Sequence, residues 1–379
     1  VLGDFLGTPV LFPPLEKGER GFKEENAFFI CIDMLKVAIC GGSGYAGAEL
    51  LRILASHPEV EITAVTSEKS AGRKVTDVFP HLRRYDYLIY EPLNKDKIIQ
   101  RADLFFMALP HGASQEPVDF LVRNKKRVVD LSADYRLKDA STYEKWYNGP
   151  HSYGRTLKKA VYGLPELYRK DIARADLVAN PGCYPTGAII GLYPAIKCKL
   201  LNLSSIVIDS KSGTTGAGRQ SDVALSFSEV NEGFRAYGVT THRHTPEIEQ
   251  ELSSIAGRDV KVNFTPHLLP LNRGILTTVY AGLMRDMDTE RVHQIYCKAY
   301  KEEPFIRVLD VGRFPDLKDV RGTNLCEIGV IVNKRTETLI VVTAIDNLLK
   351  GASGQAVQNM NLMMGFDERT ALDAIALFP

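Results

Sequence analysis

The string Asn180-Pro181-Gly182-Cys183-Tyr184-Pro185-Thr186-Gly187 sets one thiol between a short apolar run and a helical stretch. Unpaired N–H groups at a helix start favour the thiolate, and a thiolate attacks carbonyl carbon well. Cys183 is therefore the candidate nucleophile. Cys31, Cys40, Cys198, Cys297 and Cys326 lack such flanks and read as ordinary thiols. A second string, Thr241-His242-Arg243-His244-Thr245-Pro246-Glu247-Ile248, carries two imidazoles and a guanidinium ahead of a helix start marked by Pro246. Histidine titrates near neutrality, so His244 or His242 can activate a thiol or protonate an alkoxide. No third ligand accompanies the two histidines, and no metal is expected.

A third string, Gly42-Ser43-Gly44-Tyr45-Ala46-Gly47, follows a strand and opens a helix, the context a dinucleotide-binding turn requires. Gly42 is assigned the tight turn, Gly44 the close approach to a pyrophosphate, and Gly47 the packing of helix on sheet. About 20 residues on, an NAD site offers a carboxylate to the ribose. Here that position falls on Ser67, with Glu68 next to it and Arg73 and Lys74 beyond. A hydroxyl and two cations suit a 2′-phosphate, which points to NADP(H) rather than NAD. A fourth string, Lys211-Ser212-Gly213-Thr214-Thr215-Gly216-Ala217-Gly218-Arg219, lacks P-loop spacing but suits an anion. Ser212 and Gly213 are placed with the cofactor. Lys211, Arg219 and Arg243 are candidates for the phosphate or a substrate carboxylate by chemistry alone, and His242 is kept with them.

These groups need elements to hold them. Residues 35–40 read as a strand, 46–56 as a helix and 60–66 as a second strand, a βαβ unit of about 30 residues. Further strands at 104–109, 127–131 and 176–179 each run into polar or glycine-containing residues, among them Pro110 at a loop assigned to the cofactor. Ligands of an open parallel sheet bind beyond those carboxyl ends. After Cys183 a helix is expected over 187–197 and a strand over 206–209. Longer alternating strands follow at 274–283, 325–333 and 338–345, the last two flanking a hairpin signal at 334–337. Residues 353–364 read as a final helix. The fold class is α/β: a Rossmann-type nucleotide-binding domain plus an α+β catalytic domain with a mixed or antiparallel sheet.

The 379 residues favour two domains. Lys and Arg number 47 against 46 Asp and Glu, a net charge of +1, so nothing points to nucleic acid or an acidic membrane. No apolar run approaches the roughly 18 residues of a membrane span. Six scattered cysteines without metal spacing read as reduced thiols of a cytoplasmic protein. Residues 1–33, with Pro9, Pro13, Pro14 and a charged stretch at 16–20, show no period and no targeting pattern, and read as a disordered extension.

Taken together, the four strings resemble the N-acetyl-gamma-glutamyl-phosphate reductases of arginine biosynthesis, within the wider group of aspartate-semialdehyde and glyceraldehyde-3-phosphate dehydrogenases. The resemblance spans residues 34–379. Supporting pieces are Ala108-Leu109-Pro110-His111-Gly112, Asp130-Leu131-Ser132-Ala133-Asp134-Tyr135-Arg136, Tyr162-Gly163-Leu164-Pro165-Glu166 and the run from Asn347 to Ala356. The resemblance implies NADPH-dependent reduction of N-acetyl-L-glutamyl 5-phosphate to the semialdehyde and phosphate through a thioester on Cys183. It implies His244 as acid–base group, with His242 as runner-up. It also implies that Asn347 and residues 351–355 close over the cofactor, so that 34–182 and 346–379 form the nucleotide domain and 183–345 the catalytic and oligomerisation domain of a homotetramer or homodimer. Alternatives are a lysine-pathway reductase acting on a carrier-bound aminoadipyl phosphate, an NADP-binding sensor without turnover, and a Cys/His hydrolase on a Rossmann core.

Overall fold

The computed structural model describes residues 34–219 and 221–377. The extension expected over 1–33, with Cys31, lies outside them. Leu35–Cys40 (β1) is apolar at nearly every position and almost wholly buried, as a strand covered on both faces must be. It pairs in parallel with Val60–Thr66 (β2) on one side and Leu104–Met107 (β3) on the other. Arg127–Asp130 (β4), Val161–Tyr162 (β5) and Leu177–Ala179 (β6) complete an all-parallel sheet of order β2-β1-β3-β4-β6-β5. The chain leaves β1 toward β2 and returns on the far side to make β3. That reversal opens a crevice at the carboxyl ends of β1 and β3, the usual ligand position in such sheets.

Helices of eight residues or more among the described residues are Tyr45–Leu54 (α1), Gln115–Arg123 (α2), Ala140–Tyr147 (α3), Pro165–Ile172 (α4), Cys183–Lys197 (α5), Thr245–Ala256 (α6), Thr289–Ala299 (α7) and Gly354–Met364 (α8). The second sheet comprises Val207–Ser212 (β7), Arg235–Ala236 (β8), Asn263–Leu268 (β9), Ile275–Gly282 (β10), Ile306–Val308 (β11), Cys326–Asn333 (β12) and Thr338–Ile345 (β13). Its order is β11-β12-β13-β10-β7-β9-β8, and it is mixed: β7 with β9 and β11 with β12 run parallel, the other pairs antiparallel. Ile208, Val279 and Val341 of this sheet share a core with Ile189, Ile190 and Leu192 of α5, Ile248 and Leu252 of α6, and Tyr296 of α7. Helix α5 lies close because Gly187 and Gly191, one turn apart, face Thr343. A β-carbon on either would stand 3.0 Å from the Thr343 side chain. The opposite face of the sheet carries exposed Val207 and Tyr280.

After β13 the chain turns through a π-helical stretch, Leu349–Ser353, into α8. Val357, Met360 and Met363 then pack with Leu50, Leu51 and Leu54 of α1. His57, just past α1, shares a 3.0 Å hydrogen bond with Asn361.

Three differences from the sequence reading bear on the site. Helix α5 starts at Cys183 rather than 187, because Gly182 serves as N-cap and Pro185 sits in the first turn, where its missing N–H costs nothing. Strand β7 runs on to Ser212, so the supposed anion loop begins two residues later. Strand β9 was not foreseen. It contains Pro266 and is flanked on that side only by the two-residue β8, where a missing ladder donor is tolerated.

Candidate active site

The glycine turn between β1 and α1 forms one lip of the crevice. The tight turn belongs to Gly41, at φ +90°, and not to Gly42 as expected. A β-carbon on Gly41 would sit 2.2 Å from the Ala108 carbonyl oxygen, so the loops after β1 and β3 touch. Gly42 is bare because Val65 lies 2.2 Å from its β-carbon position, and Gly47 because the turn itself lies 2.5 Å away. Gly44 has nothing nearer than 3.7 Å. It is the N-cap of α1, and no side chain caps that end. The free N–H groups of Tyr45 and Ala46 and the helix dipole are therefore available to a pyrophosphate.

Beside this turn the Ser43 and Ser67 hydroxyls are 2.6 Å apart. The Glu68 carboxylate is turned away to accept the Leu93 N–H at 2.9 Å. Arg73 donates to the Asp77 carbonyl at 3.0 Å, and Lys74 pairs with Asp86 at 3.0 Å. Arg219 reaches over from the second sheet, donates to the Ser43 carbonyl at 3.1 Å and lies over the Phe79 ring. The Tyr90 hydroxyl donates to the Gly42 carbonyl. Burial pushes its pKa up to about 12, against the pull of Arg219 and Arg73. These hydroxyls and guanidiniums fit a nucleotide carrying a 2′-phosphate.

Across the crevice, β6 delivers the chain to Gly182 and Cys183 at the start of α5, a second helix without a side-chain cap. The backbone N–H groups of Tyr184 and Cys183 favour the Cys183 thiolate, as does Arg136. Burial outweighs them and pushes the thiol pKa up to about 11. Behind the sulfur, the Gly182 N–H donates to Glu247 Oε1 at 2.8 Å, as does the Tyr162 hydroxyl. Glu247 also faces Arg136 at 3.4 Å. Burial raises the Glu247 pKa, while Arg136, the Gly182 N–H and Tyr162 pull it down. Arg136 spends its other donors on the Asn180 and Leu131 carbonyls, both at 2.8 Å. This buried cluster fixes the turn into α5. Neither Arg136 nor Glu247 was singled out by sequence, although both lie in quoted strings, because their partners are far away in the chain.

His244 stands against Gly182: a β-carbon there would lie 2.6 Å from His244 Nε2 and 2.9 Å from Arg136 Nη1. His244 Nδ1 is buried without a hydrogen-bond partner among the described residues. Burial, then the charges of His242, Arg136, His111 and Arg243, hold its pKa well below the usual value, so the ring is neutral. His242 lies edge-on to Tyr184, Tyr237 and Phe264 and accepts the His244 N–H on Nδ1 at 3.2 Å. It thereby fixes the backbone that carries His244. Arg243 points the other way, its guanidinium 5.6 Å over the Tyr147 ring.

The π-helical stretch closes the remaining side. A β-carbon on Gly351 would sit 2.9 Å from Cys183 Cβ. Asp346 holds this stretch by accepting the N–H groups of Leu348 and Leu349, and the Ser353 hydroxyl donates to the Ala46 carbonyl at 2.8 Å. Asn347 accepts the Gly274 N–H and donates to the Thr215 hydroxyl at 2.9 Å. Ser212 lies by it, since a β-carbon on Gly216 would be 3.5 Å from Ser212 Oγ and 3.9 Å from Asn347 Nδ2, and the Gly213 N–H donates to the Gly274 carbonyl at 2.9 Å. Pro110 is exposed in the loop after β3.

Two candidates fall elsewhere. Lys211 is corrected by the pleat: Ser210 and Ser212 are buried on the α5 side, so Lys211 projects from the opposite face and pairs with Asp209 at 2.7 Å. Arg219 is at the glycine turn, not near Cys183. Among the described residues no three metal-ligating side chains converge.

Residues 36–175 match the family model of the semialdehyde dehydrogenase NAD binding domain, and residues 183–347 that of the semialdehyde dehydrogenase dimerisation domain. The N-acetyl-gamma-glutamyl-phosphate reductase of Geotalea daltonii is 54% identical over 347 residues, covering 91% of this chain and 100% of the relative. That of Pelotomaculum thermopropionicum is 52% identical over 345 residues, covering 91% and 99%. The chain belongs to the N-acetyl-gamma-glutamyl-phosphate reductase family. Solved structures share the reductase's fold: aspartate semialdehyde dehydrogenase II of Vibrio cholerae, complexed with ASA, superposes with a TM-score of 0.68 at 16% identity, covering 88% of this chain and 98% of its own. The Candida albicans enzyme solved with NADP gives 0.66 at 16%, covering 87% and 98%. In this reductase the two matched regions meet between residues 175 and 183, where the chain passes from β6 into α5.

Proposed function

We propose that this chain catalyses the NADPH-dependent reduction of N-acetyl-L-glutamyl 5-phosphate to N-acetyl-L-glutamate semialdehyde and phosphate, a step of arginine biosynthesis. The observation that carries the reading is the convergence on one crevice of an uncapped helix start bearing Cys183, a neutral imidazole against Gly182, and a glycine turn open at Gly44. In this reading His244, uncharged at pH 7, takes the proton of the Cys183 thiol. The thiolate attacks the acyl carbon, the C–O bond to phosphate breaks, and a thioester forms on Cys183. The first N–H groups of α5 hold the developing oxyanion. A bound nicotinamide nucleotide supplies the hydride that reduces this carbon. His244 returns its proton to the oxygen or to the departing sulfur, and Cys183 is freed as the aldehyde leaves.

Gly42, Ser43, Gly44, Tyr45, Ala46 and Gly47 are proposed to bind the pyrophosphate. Ser67 and Arg73, joined by Arg219, would take the 2′-phosphate. Pro110, Ser212, Gly213 and Asn347 would line the nicotinamide end. The nucleotide domain is proposed to comprise 34–182 with 346–379, and the catalytic domain 183–345. A homodimer or homotetramer through the open face of the second sheet is supported by the matched dimerisation model and by exposed Val207 and Tyr280. A cytoplasmic site is proposed from the nature of the reaction. The test runs the reaction in reverse. N-acetyl-L-glutamate semialdehyde should reduce NADP⁺ only when phosphate is present. Phosphate-independent turnover, or none, overturns the reading.

A further inference from the structure

Several cations surround the crevice, and nearly all are committed. Arg136 gives its donors to Asn180, Leu131 and Glu247. Arg273 pairs with Glu49 and Asp346, Lys211 with Asp209, and Arg219 with the Ser43 carbonyl. Lys350 is wholly buried against Glu166. Arg243 is exposed, stands between His242 and His244 in the chain with its guanidinium turned from them, and makes no ion pair among the described residues. Its guanidinium lies over the face of Tyr147.

Tyr147 is itself held. It ends α3 and stacks on Tyr143 with centroids 4.8 Å apart and planes 9° from parallel. The Tyr143 hydroxyl donates to Asp134 Oδ1 at 2.8 Å. Asp134 also accepts the N–H groups of Gly112 and Ser114, at 2.7 and 3.0 Å, and so fixes the loop after β3. That loop carries His111, whose ring meets Tyr147 edge-on at 5.5 Å and whose Nδ1 accepts the Ala133 N–H. Its Nε2 therefore carries the proton and remains a donor. The Tyr147 hydroxyl closes the set by donating to the Arg243 carbonyl at 3.4 Å. A flexible side chain is thus parked over a rigid aromatic wall, with one further N–H donor beside it.

We infer that Arg243, positioned by Tyr147, receives the α-carboxylate of the substrate and sets the enzyme's preference for an acidic acyl chain. The inference rests on the function proposed above. The leaving phosphate is bonded to the carbon that Cys183 attacks, so it must lie at the start of α5, where free N–H groups suit it. The charges acting most on Cys183 are Arg136 and Glu247. Arg243 is exposed and lies over the Tyr147 ring, beside His111. That is the side on which the far end of the substrate would lie.

The experiment compares two aldehydes in the reverse reaction: N-acetyl-L-glutamate semialdehyde and the same compound with its carboxylate replaced by hydrogen. In the wild type, kcat/KM should favour the acid strongly. Arg243→Gln should cut that preference by about 10- to 100-fold, the scale of a charge-assisted hydrogen bond, with the KM for phosphate moved less than about 2-fold. Arg243→Lys should recover part of it. Tyr147→Leu should lower the preference by about 2- to 5-fold, and Tyr147→Phe should keep it. An undiminished preference in Arg243→Gln overturns the inference, as does a rise in the phosphate KM in its place. A wild type that oxidises neither aldehyde overturns the proposed function itself, before any variant is made.

Discussion

Gly182→Ala isolates the contact between the nucleophile's turn and the imidazole. Gly182 has φ −69° and ψ 152°, which alanine adopts without strain. The added methyl would lie 2.6 Å from His244 Nε2, 2.8 Å from Cε1 and 2.9 Å from Arg136 Nη1. Ordinary contact is about 3.5–4 Å, so the imidazole must retreat by about 1 Å. Arg136 has little room to yield, because three of its nitrogens are bonded. A displacement of that size at a reacting group costs about 100-fold in rate, while overpacking of one methyl costs about 1–3 kcal/mol of stability. The variant should therefore fold, bind NADP(H) as the wild type does, and lose about 100-fold in kcat. Steady-state kinetics with phosphate and the semialdehyde, nucleotide binding by fluorescence, and a melting curve measure the three quantities. A folded variant with wild-type kcat would refute the placement of His244 at the reacting atoms.

His244→Asn should lower kcat at least about 100-fold, and His242→Asn less, since His242 acts on the His244 backbone; the reverse ranking would move the acid–base role to His242. With the Cys183 thiol raised to about 11, the group is protonated at neutral pH and gains its charge as pH rises. Iodoacetamide labelling of Cys183, in a Cys31→Ser/Cys198→Ser/Cys297→Ser background that removes Cys31 and the two exposed thiols among the described residues, should quicken about tenfold per pH unit from about pH 8 to 10. A rate already flat above about pH 7 would contradict the raised pKa. Lys350→Met leaves the buried Glu166 carboxylate without its 2.6 Å partner and should cost about 3–5 kcal/mol in urea unfolding. Lys350→Met/Glu166→Leu should regain most of that loss, and a single variant as stable as the wild type would show the pair to be energetically idle.

Elements with a strong local period were legible in the sequence. Strands β1, β2 and β13 fall where alternation or an apolar run put them, and α6 begins after His244 as Pro246 signalled. Boundaries set by capping were less so, and α5 starts four residues early because Gly182 and Pro185 make a good helix start. What depends on distant partners was not legible. Nothing near Arg136 announces a bond to Glu247, 111 residues away. Nothing near Gly351 announces that Cys183 leaves no room for a side chain. Lys211 looked like an anion ligand only while its residue was taken as loop. Once it belongs to β7, a period of two turns it away from the crevice.

The central claim is a covalent acyl group on Cys183. Wild-type protein mixed with N-acetyl-L-glutamyl 5-phosphate and no nicotinamide nucleotide should release one phosphate per active site. Mass spectrometry of the quenched protein should find one N-acetyl-glutamyl group on the peptide containing Cys183, removable by hydroxylamine, and none in Cys183→Ser. Full turnover by Cys183→Ser, or an acyl group on any other residue, would contradict the account.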